Sequence, residues 1–204
     1  MKLFRMFQES AKEFRNLRSI LVTGMLIAVS YVIESFTIEL GFAKINFAFL
    51  AIAAIGMLYG PTISLFAGGI CDLVGFVAHP DGAFFPLYTV IAMVQGLIYG
   101  LIAYRKFRLT TPKSNLSRKL DVEMCIRLAI ARIVDVVVIN IICNTAANYH
   151  YGFGVNGRTL GAMIAARVVK NLIELPIDIA LIAVVLVAVL KAYETVFGRQ
   201  KAAA

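Results

Sequence analysis

The last long apolar run of the chain, from Arg158 to Tyr193, carries four ionisable side chains that cannot be left against lipid. Arg167, Lys170, Glu174 and Asp178 recur at helical spacing. At 100° per residue they fall within about a 100° arc of one face, with Asn171 beside them. A charge near the bilayer centre costs about 2.5–3.5 kcal/mol on insertion scales, so this stripe must face a protein interior or a wet cavity. Pro176 lacks an N–H and crowds the carbonyl one turn earlier, which loosens the ladder beside Glu174. The run is one wall of a polar site. It is also longer than the roughly 20 residues needed to cross, so tilt, a kink at Pro176 or an interfacial end absorbs the excess.

Composition places the rest of the chain in the same solvent. With 60% apolar residues, 16% charged residues and a mean hydropathy of +0.83, it reads as an all-α integral membrane protein. Six transmembrane helices are predicted, over 18–39, 46–60, 61–78, 87–104, 124–147 and 158–193. The formal charge of +8 is gathered before the first span, around the loop after the fourth and behind the sixth. Under the positive-inside rule this puts those clusters and both termini in the cytoplasm, with the bilayer and not nucleic acid as the partner of the basic groups. Residues 1–17 form a basic amphipathic lead-in on the membrane surface. They lack the short apolar core and small-residue cleavage site of a signal peptide. The membrane domain covers 18–193, with a polar, basic cytoplasmic loop over 106–124, and 194–204 form a cytoplasmic tail.

Helix direction then gives each polar residue a depth. Asp72 is far along an outward-going span, Gln95 near the middle of an inward-going one, Asn144 near the outer end of span five, and Arg167 and Lys170 in the outer half of span six. They converge toward the outer side, beneath aromatic and Gly-rich loops. Tyr88, Ala92, Gln95 and Tyr99 share one face of span four, and Asn140, Asn144 and Asn148 recur every fourth residue of span five. Arg167 and Lys170 are donors suited to carboxylates, and Asn, Gln and Asp pair with a heterocycle presenting both donors and acceptors. Phe47, Phe85, Tyr88, Tyr151 and Phe153 are available to stack on its ring. A flat heterocycle with an acidic tail satisfies this inventory.

The chain carries no GxxxxGK[ST], HExxH or GxSxG motif, so neither ATP hydrolysis nor hydrolytic catalysis is expected of it, and no cofactor or metal site is expected. Cys71, Cys125 and Cys143 lie in apolar runs without CxxC spacing and read as small buried hydrophobes. Gly24 and Ala28, four apart in span one, allow close approach of another helix, either within the protein or from another membrane subunit. Gly96 and Gly100 form a GxxxG on span four.

The stretches KINFAFLAIAAIGMLYGP (44–61), GICDLVGFVAHPDGAFF (69–85) followed by Pro86, QGLIYGLIAY (95–104) and ARVVKNLIELPI (166–177) resemble the substrate-binding S components of energy-coupling factor (ECF) vitamin transporters, in their folate-specific branch. GMLYGP is shared among several S components, whereas DLVGF, HPDGAFFP and RVVKNLIELPI are closer to the folate branch. The resemblance implies the six-helix S-component fold and a high-affinity folate-binding subunit in a prokaryotic cell membrane. Its partners would be a transmembrane coupling subunit and two cytoplasmic ATPases, with the subunit reorienting in the membrane to deliver its ligand. It implies pocket roles for Asn46, Asp72, Gln95, Asn144, Arg167 and Lys170, and coupling-subunit contact at Gly24 and Ala28. Loops 40–47, 79–86 and 149–157 would close over the ligand.

Two other readings compete. Another vitamin of the same fold, such as riboflavin, thiamine or pyridoxine, would use the same scaffold. In a self-sufficient secondary transporter or a membrane enzyme, Arg132, Asp135, Glu174 and Asp178 in the inner half would form a proton or ion relay. Their structural alternative is a set of ion pairs holding spans five and six together.

Overall fold

A computed structural model describes residues 2–34, 38–39, 44–45, 47–78, 83–104, 114–153, 159–189, 191–193 and 195. The order is α1 (Lys2–Lys12), a short 3-10 turn (Glu13–Arg15), α2 (Leu17–Glu34), β1 (Ile38–Glu39), β2 (Lys44–Ile45), α3 (Phe49–Tyr59), α4 (Pro61–Ala78) and α5 (Pro86–Ala103). Then come α6 (Ser114–Asp135), a π-helical segment (Val136–Cys143), α7 (Asn144–Tyr151), α8 (Leu160–Leu181) and a second π-helical segment (Ile182–Leu186). Apart from the antiparallel β1–β2 pair, with Ile38 opposite Ile45 and Glu39 opposite Lys44, the described chain is helical.

Among the described residues four helices are long and apolar enough to cross a membrane, Leu17–Glu34, Pro61–Ala78, Pro86–Ala103 and Leu160–Tyr193, and the chain is a membrane protein. The expected boundaries change in three places. The described helix of span one is Leu17–Glu34, and 38–39 belong to the strand pair instead. Span two, expected over 46–60, is the 11-residue α3, about 16 Å long at 1.5 Å per residue and shorter than the roughly 20 residues of a full-length crossing helix. The basic stretch expected as a loop to 124 is already helical from Ser114, because polarity forbids membrane crossing but not helix formation.

Helix α3 is apolar on every face, so it has no solvent side and becomes the core. Phe49 through Met57 and Tyr59 are all buried. Ile52, Ala53 and Met57 pack with Tyr99, Met124, Leu128, Ile182 and Leu186, which ties α3 to α5, α6 and the end of the last helix. Against this core α5 lies almost backbone to backbone on α4. A Cβ on Gly96 would overlap the Ser64 carbonyl, and one on Gly100 would overlap Pro61 Cα, so the GxxxG is an internal packing seam. This contact fixes the level at which Tyr88, Gln95 and Tyr99 project from α5.

Where α1 meets the bundle, Tyr104 caps α5 beyond its last helical residue. Burial, with Glu9 and Glu13 nearby, pushes its phenol up to about 12, so it stays neutral.

Candidate functional site

Helix α5 begins with Pro86 at its first turn, where the missing N–H costs nothing and the fixed φ starts the helix. Phe85, in extended backbone just before it, turns its ring toward the end of α7. There it meets Tyr151 at 4.6 Å and Phe153 at 5.1 Å between ring centroids, with Tyr88 6.1 Å from Tyr151. These four rings form one cluster. Phe85, Tyr88 and Tyr151 are half-buried and Phe153 is exposed, so part of their π surface is uncovered.

Beneath the rings lies a polar layer built by α5, the first π segment, α7 and α8. Arg167 donates from Nη1 to the Asn140 carbonyl at 3.1 Å. That carbonyl is reachable because the helix is wound wide: the Asn144 N–H, which an α-helix would give to Asn140, bonds Ile139 one residue further back. The Asn148 amide is oriented by its partners, its oxygen accepting from Arg167 Nη2 at 2.6 Å and its nitrogen donating to Tyr88 Oη at 2.6 Å and the Asn144 carbonyl at 3.2 Å. Asn144 donates to Asn140 Oδ1 at 3.5 Å, and Asn140 donates to Asn171 Oδ1 at 3.3 Å. Asn171 in turn donates to the Arg167 carbonyl at 2.8 Å. Every partner of the Arg167 guanidinium in this layer is a neutral oxygen, and among the described residues no carboxylate pairs with it. A half-buried cation held only by amides is poised for an incoming anion.

One layer further in, a second arginine has the opposite surroundings. Arg132 donates from Nη1 to Asp135 Oδ2 at 2.7 Å, and from Nε and Nη2 to Asp178 Oδ2 at 3.1 and 2.8 Å. Gln95 Nε2 and Tyr99 Oη also donate to Asp135 Oδ2, at 3.2 and 3.3 Å, while the Phe49 ring lies 3.8 Å from the guanidinium carbon. All three charged side chains are buried. One cation between two carboxylates leaves no demand for a further anion. The network joins α3, α5, α6 and α8, the arrangement of ion pairs between spans five and six that competes with a relay.

Of the residues expected in the pocket, Phe85, Tyr88, Asn144, Arg167 and Asn171 come together. Lys170 lies on the same stripe, but its Nζ is 3.4 Å from Glu174 Oε1, an i,i+4 pair within α8. Gln95 belongs to the inner network through Asp135. Asp72 accepts from Thr89 Oγ1 at 2.6 Å across the α4–α5 seam, and among the described residues no hydrogen bond joins it to the Arg167 layer. Phe47 packs against the α3 core. Asn46 lies outside the described residues, as do 40–43, 79–82 and 154–157 of the three loops expected to close over the pocket. Gly24 and Ala28 are exposed on α2, and among the described residues a Cβ on Gly24 would meet nothing within 4 Å. Asn140 and Asn148 were visible as members of the fourth-residue stripe, yet only their partners reveal them as the residues that hold Arg167.

Comparison with known proteins agrees with this architecture. A family model described as "ECF transporter, substrate-specific component" matches residues 18–187. The folate transporter FolT of Leuconostoc mesenteroides subsp. mesenteroides is 30% identical over 165 residues, 80% of this chain and 82% of that protein. The folate transporter FolT of Clostridium novyi is 26% identical over 156 residues, 76% of this chain and 79% of that one. A solved structure of FolT bound with folic acid superposes with a TM-score of 0.62 at 30% identity, covering 81% of this chain and 90% of its own.

Proposed function

From the premise that the chain belongs to the substrate-specific components of ECF transporters, in the FolT-like, folate-specific branch, we propose that it is the folate-binding membrane subunit of an ATP-driven importer. The subunit performs no chemistry itself. It has six membrane segments in the cell membrane with both termini cytoplasmic, and it works with a transmembrane coupling subunit and two ATPases that hydrolyse ATP on its behalf.

The observation that carries the ligand is Arg167, a cation held by neutral oxygens beneath a cluster of uncovered rings. Folate offers both complements. Its flat pteridine stacks among Phe85, Tyr88, Tyr151 and Phe153, while Asn144 and Asn171 supply amide donors and acceptors for polar atoms. Its glutamate tail brings a carboxylate to the guanidinium in a charge-assisted, bidentate geometry. Riboflavin and thiamine carry no carboxylate, so Arg167 discriminates against them. Equilibrium binding to the purified chain in detergent tests this: folate binds tightly, riboflavin and thiamine do not, and Arg167→Ala weakens folate. If folate fails to bind a well-folded sample, the polar layer serves another ligand.

Coupling to the partner runs through the outward face of α2, where Gly24 and Ala28 leave a shallow place for another helix. Gly24→Leu fills it and should abolish co-purification with the coupling subunit while folate binding stays intact.

A further inference from the structure

Helix α1 plays no part in the reading above, yet it is fastened to the bundle with unusual care. Ser10 is fully buried, and its hydroxyl donates to the Tyr59 carbonyl at 2.7 Å. The same oxygen accepts the N–H groups of Thr62 at 3.0 Å and Ile63 at 3.3 Å. One side chain thus satisfies a carbonyl at the end of α3 and two amides at the start of α4. Thr62 returns a bond from Oγ1 to the Phe7 carbonyl at 3.0 Å. Just beyond the helix Glu13 accepts from Ser19 Oγ at 2.6 Å, and Asn16 Oδ1 caps α2 at the Arg18 N–H, 3.2 Å away. Held from Phe7 onward through its C-terminal end, α1 lies at a fixed level across this end of the bundle.

The helix presents three sectors. Met6, Phe7 and Ser10 face the bundle. Leu3 lies within about 20° of Ser10 on the helical wheel. It is nevertheless 62% exposed, so the first turn overhangs, and Phe4 beside it is 69% exposed. Arg5, Gln8 and Lys12 make the third sector, with Arg15 and Arg18 exposed just beyond. The two carboxylates of the segment, Glu9 and Glu13, are half-buried, so the outward charge is positive. The overhang also continues an apolar belt: Phe14 meets Phe66 of α4 edge-on at 5.6 Å, and Ile20, Leu21 and Met25 are exposed along α2.

We propose that α1 is an interfacial foot for anionic phospholipid: Leu3 and Phe4 enter the acyl boundary while Arg5, Lys12, Arg15 and Arg18 meet headgroup phosphates. An amphipathic helix with a basic polar edge binds such a surface through buried apolar area and charge together. Here the protein supplies the orientation beforehand, because Ser10 and Glu13 fix the helix against the spans. The proposal is independent of the ligand, since no residue of the Arg167 layer takes part.

The test uses the full chain with Cys71, Cys125 and Cys143 replaced by Ser. A nitroxide is placed at Phe4→Cys, Leu3→Cys or Gln8→Cys, and the protein is reconstituted in phosphatidylcholine vesicles with or without phosphatidylglycerol. A monodisperse elution profile and an unchanged helical circular-dichroism spectrum in detergent identify folded samples. With phosphatidylglycerol, oxygen should reach the labels at 3 and 4 in preference to a water-soluble nickel chelate, by about threefold relative to the label at 8, as expected for an interfacial helix. The double variant Arg5→Gln, Lys12→Gln should lose the dependence on phosphatidylglycerol. Equal chelate access at 3, 4 and 8 in both vesicle types would overturn the proposal. So would protection that arises only on adding the coupling subunit and ATPases, or spin–spin broadening between two copies, since a protein would then be the occupant.

Discussion

Arg132 and Arg167 are two buried or half-buried arginines of one bundle, one layer apart, and they have been given opposite company. Arg132 is clasped by Asp135 and Asp178, with Tyr99, Gln95 and Phe49 closing around it. Arg167 is clasped by a backbone carbonyl and an amide oxygen. A saturated ion pair in low dielectric has already spent its attraction inside the protein, so removing either partner harms the fold. An arginine held by neutral acceptors keeps most of its charge for a ligand. The inner layer therefore has the chemistry of a fastening between helices and the Arg167 layer that of the proposed receptor, although both look alike as charges in an apolar run.

The largest effect should come from unbalancing the inner layer. Arg132→Ala leaves two buried carboxylates without their counter-charge and should cost about 3–5 kcal/mol, seen as a collapse of expression or of thermal stability in detergent. Replacing Arg132, Asp135 and Asp178 together by Met and Leu should recover most of that loss. If the triple variant folds but transport by the assembled importer stops with folate affinity intact, the inner layer is a relay after all.

Arg167→Ala should do the reverse, leaving thermal stability nearly unchanged while weakening folate by about 2–3 kcal/mol, roughly 30- to 150-fold. Asn148→Ala removes the amide that aims the guanidinium and should cost about 1 kcal/mol, near fivefold in affinity. Tyr88→Phe removes only the hydroxyl behind Asn148 and should cost about twofold, at the low end for a neutral hydrogen bond. The gradient from Arg167 through Asn148 to Tyr88 sharpens the comparison, because a merely structural layer would show it in melting temperature and not in affinity.

Much of this was legible in the chain itself. The charged stripe of α8, the Arg132–Asp135 spacing, the GxxxG of α5 and the Asn140, Asn144, Asn148 repeat all follow from helical periodicity. Periodicity gives the angle at which a side chain leaves its helix, but not the partner it meets. Gln95 donates to Asp135 and Lys170 pairs with Glu174 one turn along its own helix, partners that periodicity does not name. The π winding through Asn140 has no signature in the residue types, yet it brings a backbone carbonyl to Arg167. The strand pair also escaped, because Ile38 is as suited to a span as to a strand.

The most direct test of the division between the two arginines is a binding cycle by calorimetry. Folate and folate with both tail carboxylates amidated are each titrated into the parent chain and Arg167→Ala. The account predicts that the substitution weakens folate by about 30-fold or more and changes the amidated ligand by less than about twofold, a coupling expected of a direct guanidinium–carboxylate pair. Equal losses for both ligands would contradict it, placing Arg167 on the ring or in the scaffold and leaving the tail to some other group.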